Sequence, residues 1–244
     1  MVSMNRLLIL ATVFSLAITT LNAQYVVGIE AGLGNAWFKI SDYYYHAPQI
    51  DNDLCYSLGI FYKERRERTI NIGFEMEYMF KSFDSDLNCS SRSVSSFRTL
   101  NYKTGYLSFY FLPEIVLGKK LKYIISAGPY LGILLHSHKN GSGEYTEWVN
   151  PGNHKDYTID GSANADFSNL NIGLKAITGL EIPVKNRIRL FALLGYKIGA
   201  NIAQGGDLCP TGLKLYPQVI DISVGIGYLI HNSNMQKFTD KIFN

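Results

Sequence analysis

Three regularities along the chain predict an all-β fold, an eight-stranded antiparallel up-and-down transmembrane β-barrel with short periplasmic turns and long extracellular loops. Apolar residues recur at every second position in segment after segment, the connections between segments alternate short and long, and 17 Tyr, 13 Phe and 22 Gly stand beside only 7 Pro. A strand sends successive side chains to opposite faces while a helix groups every third or fourth, so the period separates the two.

The chain begins with an export signal. Met1 to Arg6 is weakly positive, Leu7 to Leu21 is almost wholly apolar, and Leu21-Asn22-Ala23 is a small-residue exit, so residues 1–23 are expected to be removed after Ala23. The apolar run of 15 residues falls short of the roughly 18 to 20 that a spanning helix needs. No Cys follows the cut, which disfavours a lipid anchor. Beyond it, charges or Gly-rich polar positions interrupt every apolar run, so no α-helical span is expected. Without Arg6 the balance is 22 Lys+Arg against 20 Asp+Glu, scattered along the chain. Nucleic acid is therefore excluded as a partner.

Residues 24–230 form the barrel domain, in eight segments. Tyr25 to Lys39 and Leu54 to Glu64 open it. In the third, Ile70, Ile72, Phe74, Met76, Tyr78 and Phe80 alternate with Asn71, Gly73, Glu75, Glu77 and Lys81. Tyr102 to Leu117 and Leu121 to His136 follow. From Phe167 to Pro183, Leu170, Ile172, Leu174, Ala176, Leu180 and Ile182 oppose Asn169, Asn171, Gly173, Lys175, Gly179 and Glu181. Arg187 to Gly199 repeats the pattern, with Phe191 and Leu193 as exceptions on its polar side. The last is clearest: Ile220, Ile222, Val224, Ile226, Tyr228 and Ile230 against Asp221, Ser223, Gly225 and Gly227.

Glu64 to Thr69, Gly118 to Leu121 and Pro183 to Arg187 are tight and charged, whereas Ile40 to Asp53, Ser82 to Arg98, Ser137 to Asp166 and Asn201 to Lys214 are long and polar. That asymmetry describes a bacterial transmembrane barrel. A soluble, lipocalin-like barrel is the structural rival, and the polar face decides against it. Gly and Ser crowd that face, as a narrow lumen requires. Glu30, Glu75, Glu77, Glu114, Glu181 and Asp221, with Lys63, Lys175, Arg189 and Lys197, are expected to neutralise one another inside, because a lone desolvated charge costs several kcal/mol. Tyr25, Trp37, Tyr56, Tyr62, Tyr78, Tyr102, Tyr123, Tyr196 and Tyr228 are expected as interfacial girdles.

Four stretches resemble a known family: Val27-Gly28-Ile29-Glu30-Ala31-Gly32, Tyr106-Leu107-Ser108-Phe109-Tyr110-Phe111-Leu112-Pro113, Ala127-Gly128-Pro129-Tyr130-Leu131-Gly132 and Ile222-Ser223-Val224-Gly225-Ile226-Gly227-Tyr228. In order and spacing they are similar to the outer-membrane β-barrel domain abundant in Bacteroidota, which includes PorT-like and OmpA-like eight-stranded barrels. The resemblance covers most of the chain after Ala23. It implies an eight-stranded barrel in the outer membrane of a Gram-negative cell and no common chemistry. Members usually end on an aromatic residue of the last strand. Here 231–244 continues as a polar, periplasmic tail with Phe238 and Phe243, so the assembly machinery would read the internal Tyr228 segment.

No constellation points to catalysis, a cofactor or a metal. Cys55, Cys89 and Cys209 map to the outer side. Export favours oxidation, and Cys89 with Cys209 is the favoured disulfide, leaving one thiol over. No Cys-x-x-Cys supports zinc. His136, Ser137, His138 and His154 invite comparison with outer-membrane lipid A deacylases, but their order differs and a triad is assembled by geometry. Asn140-Gly141 and Ser142-Gly143 read as a tight reversal giving the third loop its own hairpin, and Trp148 there as a contact residue. The sequence thus predicts a structural or surface-interaction barrel acting through its extracellular loops. The alternatives are a narrow pore or transport- or secretion-associated barrel and, less favoured, a lipid hydrolase. Expected partners are outer-membrane lipids, the barrel-assembly machinery and an extracellular or periplasmic partner.

Overall fold

A computed structural model describes residues 24–40, 49–51, 53–65, 70–90, 94–118, 120–147, 154–202 and 214–230. The expected signal segment, the 231–244 tail, Trp148 and Cys209 lie outside them. Among the described residues there are ten strands: β1 (Gln24–Ile40), β2 (Gln49–Asp51), β3 (Asp53–Arg65), β4 (Ile70–Ser90), β5 (Val94–Leu117), β6 (Lys122–Glu147), β7 (His154–Ser162), β8 (Leu170–Pro183), β9 (Ile188–Gly199) and β10 (Leu215–Ile230). Eight of these close a ring in the order β1-β3-β4-β5-β6-β8-β9-β10, all neighbours antiparallel. The last strand returns to the first in unbroken register from Tyr25↔Ile230 to Ile40↔Leu215. A closed ring leaves no edge of unpaired backbone groups, the condition for strands to sit in hydrocarbon.

The alternation resolves as an apolar outside and a polar inside. Leu33, Leu58, Ile222 and Val224 are all more than 60% exposed, while Glu30, Glu75, Glu77 and Asp221 on the opposite face are buried. A water-soluble barrel has the reverse arrangement. Glycine lets the inward faces approach: a Cβ on Gly195 would lie 2.0 Å from the Asp221 carboxylate, and one on Gly28 2.4 Å from the Phe61 ring.

Three expectations are corrected. First, the long connections carry strands of their own. β4 and β5 run on as a ladder from Ser82↔Lys103 to Ser90↔Ser95, through the stretch read as a loop. β2 pairs with β4, and β7 with β6, from His138↔Ser162 to Thr146↔His154. Above the ring, β2, β4, β5, β6 and β7 make a five-stranded extracellular sheet. Only about 9 to 11 residues are needed to cross the bilayer, whereas β4, β5 and β6 have 21, 24 and 26. At 3.4 Å per residue the excess of β6 rises on the order of 50 Å along the strand. Second, Asn140-Gly141 and Ser142-Gly143 are not a reversal; they lie inside β6, between β5 and β7. Glycine is needed there for close approach, since a Cβ on Gly141 would meet the Thr99 carbonyl oxygen at 2.0 Å and one on Gly143 the Tyr157 ring at 2.6 Å. Third, Tyr102 belongs to no girdle. It shares the inward parity of Tyr106, Tyr110 and Glu114 on β5 and is fully buried.

A β-bulge sits at the rim. Tyr106 pairs with Leu134 and Gly105 with His136, so Leu135 is an extra residue on β6. The bulge shifts the parity of everything beyond it. Ser137 and Lys139 turn inward, and His136 and His138 turn outward.

Candidate functional site

The lumen is filled in four layers. Nearest the short turns, Arg65 at the end of β3 bonds Glu114 through Nη1 at 2.7 Å and Glu181 through Nε at 2.9 Å. Lys63 Nζ donates to Glu114 Oε1 at 2.8 Å, and Lys122 and Arg189 stand 3.7 and 3.6 Å from Glu181. Two fully buried carboxylates thus gather four cations. Above them lies an apolar layer in which the Phe61 and Phe191 rings meet edge to face at 5.0 Å, with Val26, Leu112, Ile124, Ile177, Leu193 and Leu229 around them. Phe191 and Leu193, the two exceptions to the alternation of β9, face inward because this layer needs apolar volume.

The third layer is ionic again. Lys175 pairs directly with Glu75, lies 3.2 Å from Glu77 Oε2 and reaches Glu30 at 4.0 Å. Lys197 donates to both oxygens of Glu77, at 2.7 and 2.9 Å, and to Asp221 at 2.7 Å. The Tyr110 hydroxyl donates to Glu77 Oε1 at 3.3 Å, and the Lys175 ammonium lies 4.3 Å from the Tyr110 ring centre. Carboxylate oxygens of Glu30, Glu75 and Glu77 lie within 4.8 Å of one another, a spacing that could hold a cation, and the Lys175 ammonium supplies one. The structure thus brings Glu30, Glu75, Glu77, Lys175, Lys197 and Asp221 together in one layer, and Glu114, Glu181 and Arg189 in the other.

The fourth layer closes the extracellular end. Phe83 and Tyr102 stack at 5.2 Å, Phe167 abuts both edge-on, and Leu100, Ile202 and Leu215 complete the cluster. Residues 163–169 dip inward to deliver Phe167. They are tied down by the fully buried Asp166, which accepts from Lys139 Nζ at 2.9 Å, and by Asn164, which accepts from the Ser137 hydroxyl at 2.8 Å.

The extracellular sheet presents a polar outer face, with His138 2.9 Å from Asp160 and His154 3.1 Å from Asp156. His136 stacks over Tyr78 on the outer wall, whereas Ser137 points into the lumen. The bulge therefore separates the very residues that the hydrolase comparison required together. Cys55 is a buried free thiol facing inward. The sequence pattern does not single out Arg65, within the tight Glu64 to Thr69 connection, or Lys122 at the start of β6. Both carry the periplasmic layer, and their only sequence signal was proximity to the tight charged connections.

The family model described as "Outer membrane protein beta-barrel domain" matches residues 21–202. The chain belongs to this family. It is accordingly a protein of the bacterial outer membrane, with its apolar wall against lipid. No individually curated protein matches the chain. Among solved structures, this family member is similar to the Neisserial surface protein A, with 13% identity and a TM-score of 0.41 over 84% of this chain and 97% of that one. Ail, the attachment invasion locus protein of Yersinia pestis, gives 11% and 0.36 over 84% and 98%. OprG from Pseudomonas aeruginosa gives 13% and 0.41 over 86% and 96%.

Proposed function

We propose that this outer-membrane barrel is a surface-interaction protein whose working part is the extracellular sheet, with the membrane ring as its rigid mount. One observation carries the reading: β4, β5 and β6 run far beyond the bilayer and recruit β2 and β7, while the lumen beneath is filled with ions and aromatic rings. Two ionic layers with an apolar layer between them and an aromatic cluster above support a plug rather than a path for solutes. The filled lumen thus favours this reading over the narrow pore or secretion-associated barrel, and the scattering of His136, Ser137 and His138 favours it over the lipid hydrolase. In this reading the buried ion layers hold the ring in one register. Outer-membrane lipids, the assembly machinery and an extracellular ligand are its partners, residues 1–23 are its export signal, and its kinship is with the PorT-like barrels of Bacteroidota.

Two measurements test it together. Purified full-length protein in planar bilayers is expected to give no steady single-channel current; regular current steps would overturn the reading in favour of the pore. Cells displaying the protein are expected to adhere to protein- or glycan-coated surfaces and to lose adhesion when residues 140–160 are replaced by a short Gly-Ser link while heat-modifiable gel migration persists. Unchanged adhesion after that replacement would also sink it.

A further inference from the structure

Glu30 and Glu75 are the poorly satisfied acids of the middle ionic layer. Glu77 receives bonds from Lys175, Lys197 and Tyr110, and Asp221 is held by Lys197. Among the described residues the one cation near Glu30 is Lys175, at 4.0 Å, and its partners across the strands on either side, Gly59 and Gly225, have no side chain to offer. Glu75 meets Lys175 through Oε1 alone. Glu30 Oε2 and Glu75 Oε2 are therefore both buried without a hydrogen-bond partner. Leaving such an acceptor unbonded in a dry interior is costly, the more so for a charged group.

Counted as carboxylates and ammoniums, the layer does not balance. Glu30, Glu75, Glu77 and Asp221 bring four negative charges, Lys175 and Lys197 bring two positive ones, and Lys81, which lines a small cavity together with Lys197, brings the third. All seven are at most 6% exposed. One negative charge is left over where an uncompensated ion costs several kcal/mol. The cations of the periplasmic layer lie beyond the Phe61 and Phe191 rings and are bound to Glu114 and Glu181. The other titratable groups around the layer, Cys55 of β3, Tyr110 of β5 and Tyr130 of β6, carry no positive charge in any state. Geometry shows where the missing positive charge goes. Carboxyl oxygens of Glu30, Glu75 and Glu77 lie within 4.8 Å of one another, and the Glu30 and Glu75 carboxyls stand in hydrogen-bonding position. Two carboxylates have acceptors only, so that contact is a hydrogen bond when one of them carries a proton.

We propose that Glu30 and Glu75 hold one proton between them at neutral pH, bridging their two otherwise unbonded oxygens, so that the layer closes at three negative against three positive charges. Two carboxyls sharing one site do not both ionise, and the proton belongs to the pair rather than to either residue. In the unfolded chain both carboxyls are ionised at neutral pH. Closure of the ring therefore takes up one proton from solvent, and unfolding returns it. The bridge is a proton-linked clasp that ties β1 to β4 across β3 inside the lumen.

Infrared spectroscopy of the full chain, folded in an ester-free detergent at neutral pH, tests this directly. The parent is expected to show the carbonyl band of an un-ionised carboxylic acid, and Glu30→Gln and Glu75→Gln are each expected to remove it, the acid that remains ionising against Lys175. No such band in the parent, or a band that survives in either variant, overturns the proposal. Urea unfolding gives a second reading. Each single variant keeps three charges against three and is expected to unfold near the parent's midpoint, whereas the double variant leaves three ammoniums against two carboxylates and is expected to lose more than the two singles added together. Additive changes, or a double variant more stable than the parent, refute the shared proton. Should one single variant fail to fold, the other still serves for the pH profile. From neutral to mildly alkaline pH the parent's folding equilibrium constant is expected to fall more steeply than the variant's, by about tenfold per pH unit, the signature of one extra proton in the folded state. Parallel profiles, or a parent whose stability follows sodium concentration instead of pH, would give the missing charge to something other than a proton and overturn the assignment.

Discussion

The lower and upper halves of β4, β5 and β6 obey the same period with opposite sign. Below the rim, Phe74, Phe109, Phe111, Ile125 and Leu131 point out while Glu75, Glu77, Ser108 and Ser126 point in. Above it, Asp84, Thr99, Asn101, His138 and Asn140 point out while Phe83, Leu100 and Tyr102 are buried. Nothing in the backbone changes at the crossing except the single bulge at Leu135. What changes is the solvent. Acyl chains reward apolar side chains on the outside of the cylinder, and water rewards them on the inside. The level at which the pattern inverts, near Lys81, Lys103 and His136, therefore marks the outer membrane surface on this side of the ring.

The largest test of that contrast lies below the rim. Glu77 accepts from Lys175, Lys197 and Tyr110, so Glu77→Ala leaves two buried ammoniums without their shared carboxylate. Breaking one side of a buried ion network costs roughly 3–5 kcal/mol, and urea unfolding followed by the heat-modifiable band is expected to show a loss of that size. A loss of only a few tenths would mean that water reaches the layer. Next comes the outer wall. Val224 faces outward near mid-height, 62% exposed, and Val224→Arg is expected to cost roughly 2–4 kcal/mol, the depth-dependent penalty of a cation in the lipid face of a barrel. A neutral result there would place that wall in water.

The sign inversion also explains how much of the fold was legible in the sequence. The ring was readable because lipid imposes a one-sided greasy stripe, as in Ile220 to Ile230, which no soluble loop would carry. Its extracellular continuation was not. Phe83, Leu100 and Tyr102 keep the alternation, but their polar partners Asp84, Thr99 and Asn101 face out, so the stripe changes sides and the segment reads as irregular. Inserting Leu135 further breaks the period of β6 just where the sign changes. The candidate ion residues were legible as polar interruptions of apolar strands, whereas their division into two layers depends on strand stagger, which no single segment encodes. Arg65 looked like a turn residue because only closure of the ring brings β3 beside the acids of β5 and β8.

A smaller effect separates the two halves mechanically. Tyr102 stacks on Phe83 and meets Phe167 edge-on, so Tyr102→Ala opens the extracellular cluster without touching the ionic layers. Regions with their own hydrophobic cluster can open below the global unfolding free energy. External protease is expected to cut the variant in the extracellular sheet much faster than the parent, while the midpoint for loss of the folded ring moves far less than in Val224→Arg. Equal shifts in both readouts would show that sheet and ring unfold as one unit.

The smallest effect is the sharpest check on where the membrane ends. Thr99 points outward on β5, above the rim, opposite Asp86 on β4 and Ser142 on β6. Placing an arginine there sets a cation beside Asp86 across the strand pair, and in water an exposed change of this kind stays within about ±0.5 kcal/mol. The same side chain at Val224 is in hydrocarbon, where its cost is several times larger. Measured side by side, Thr99→Arg and Val224→Arg therefore report the solvent on each half of the wall with one chemical probe. If Thr99→Arg destabilised the protein as severely as Val224→Arg, the upper sheet would be lipid-facing, and the inversion of the pattern could not be ascribed to the passage from membrane to water.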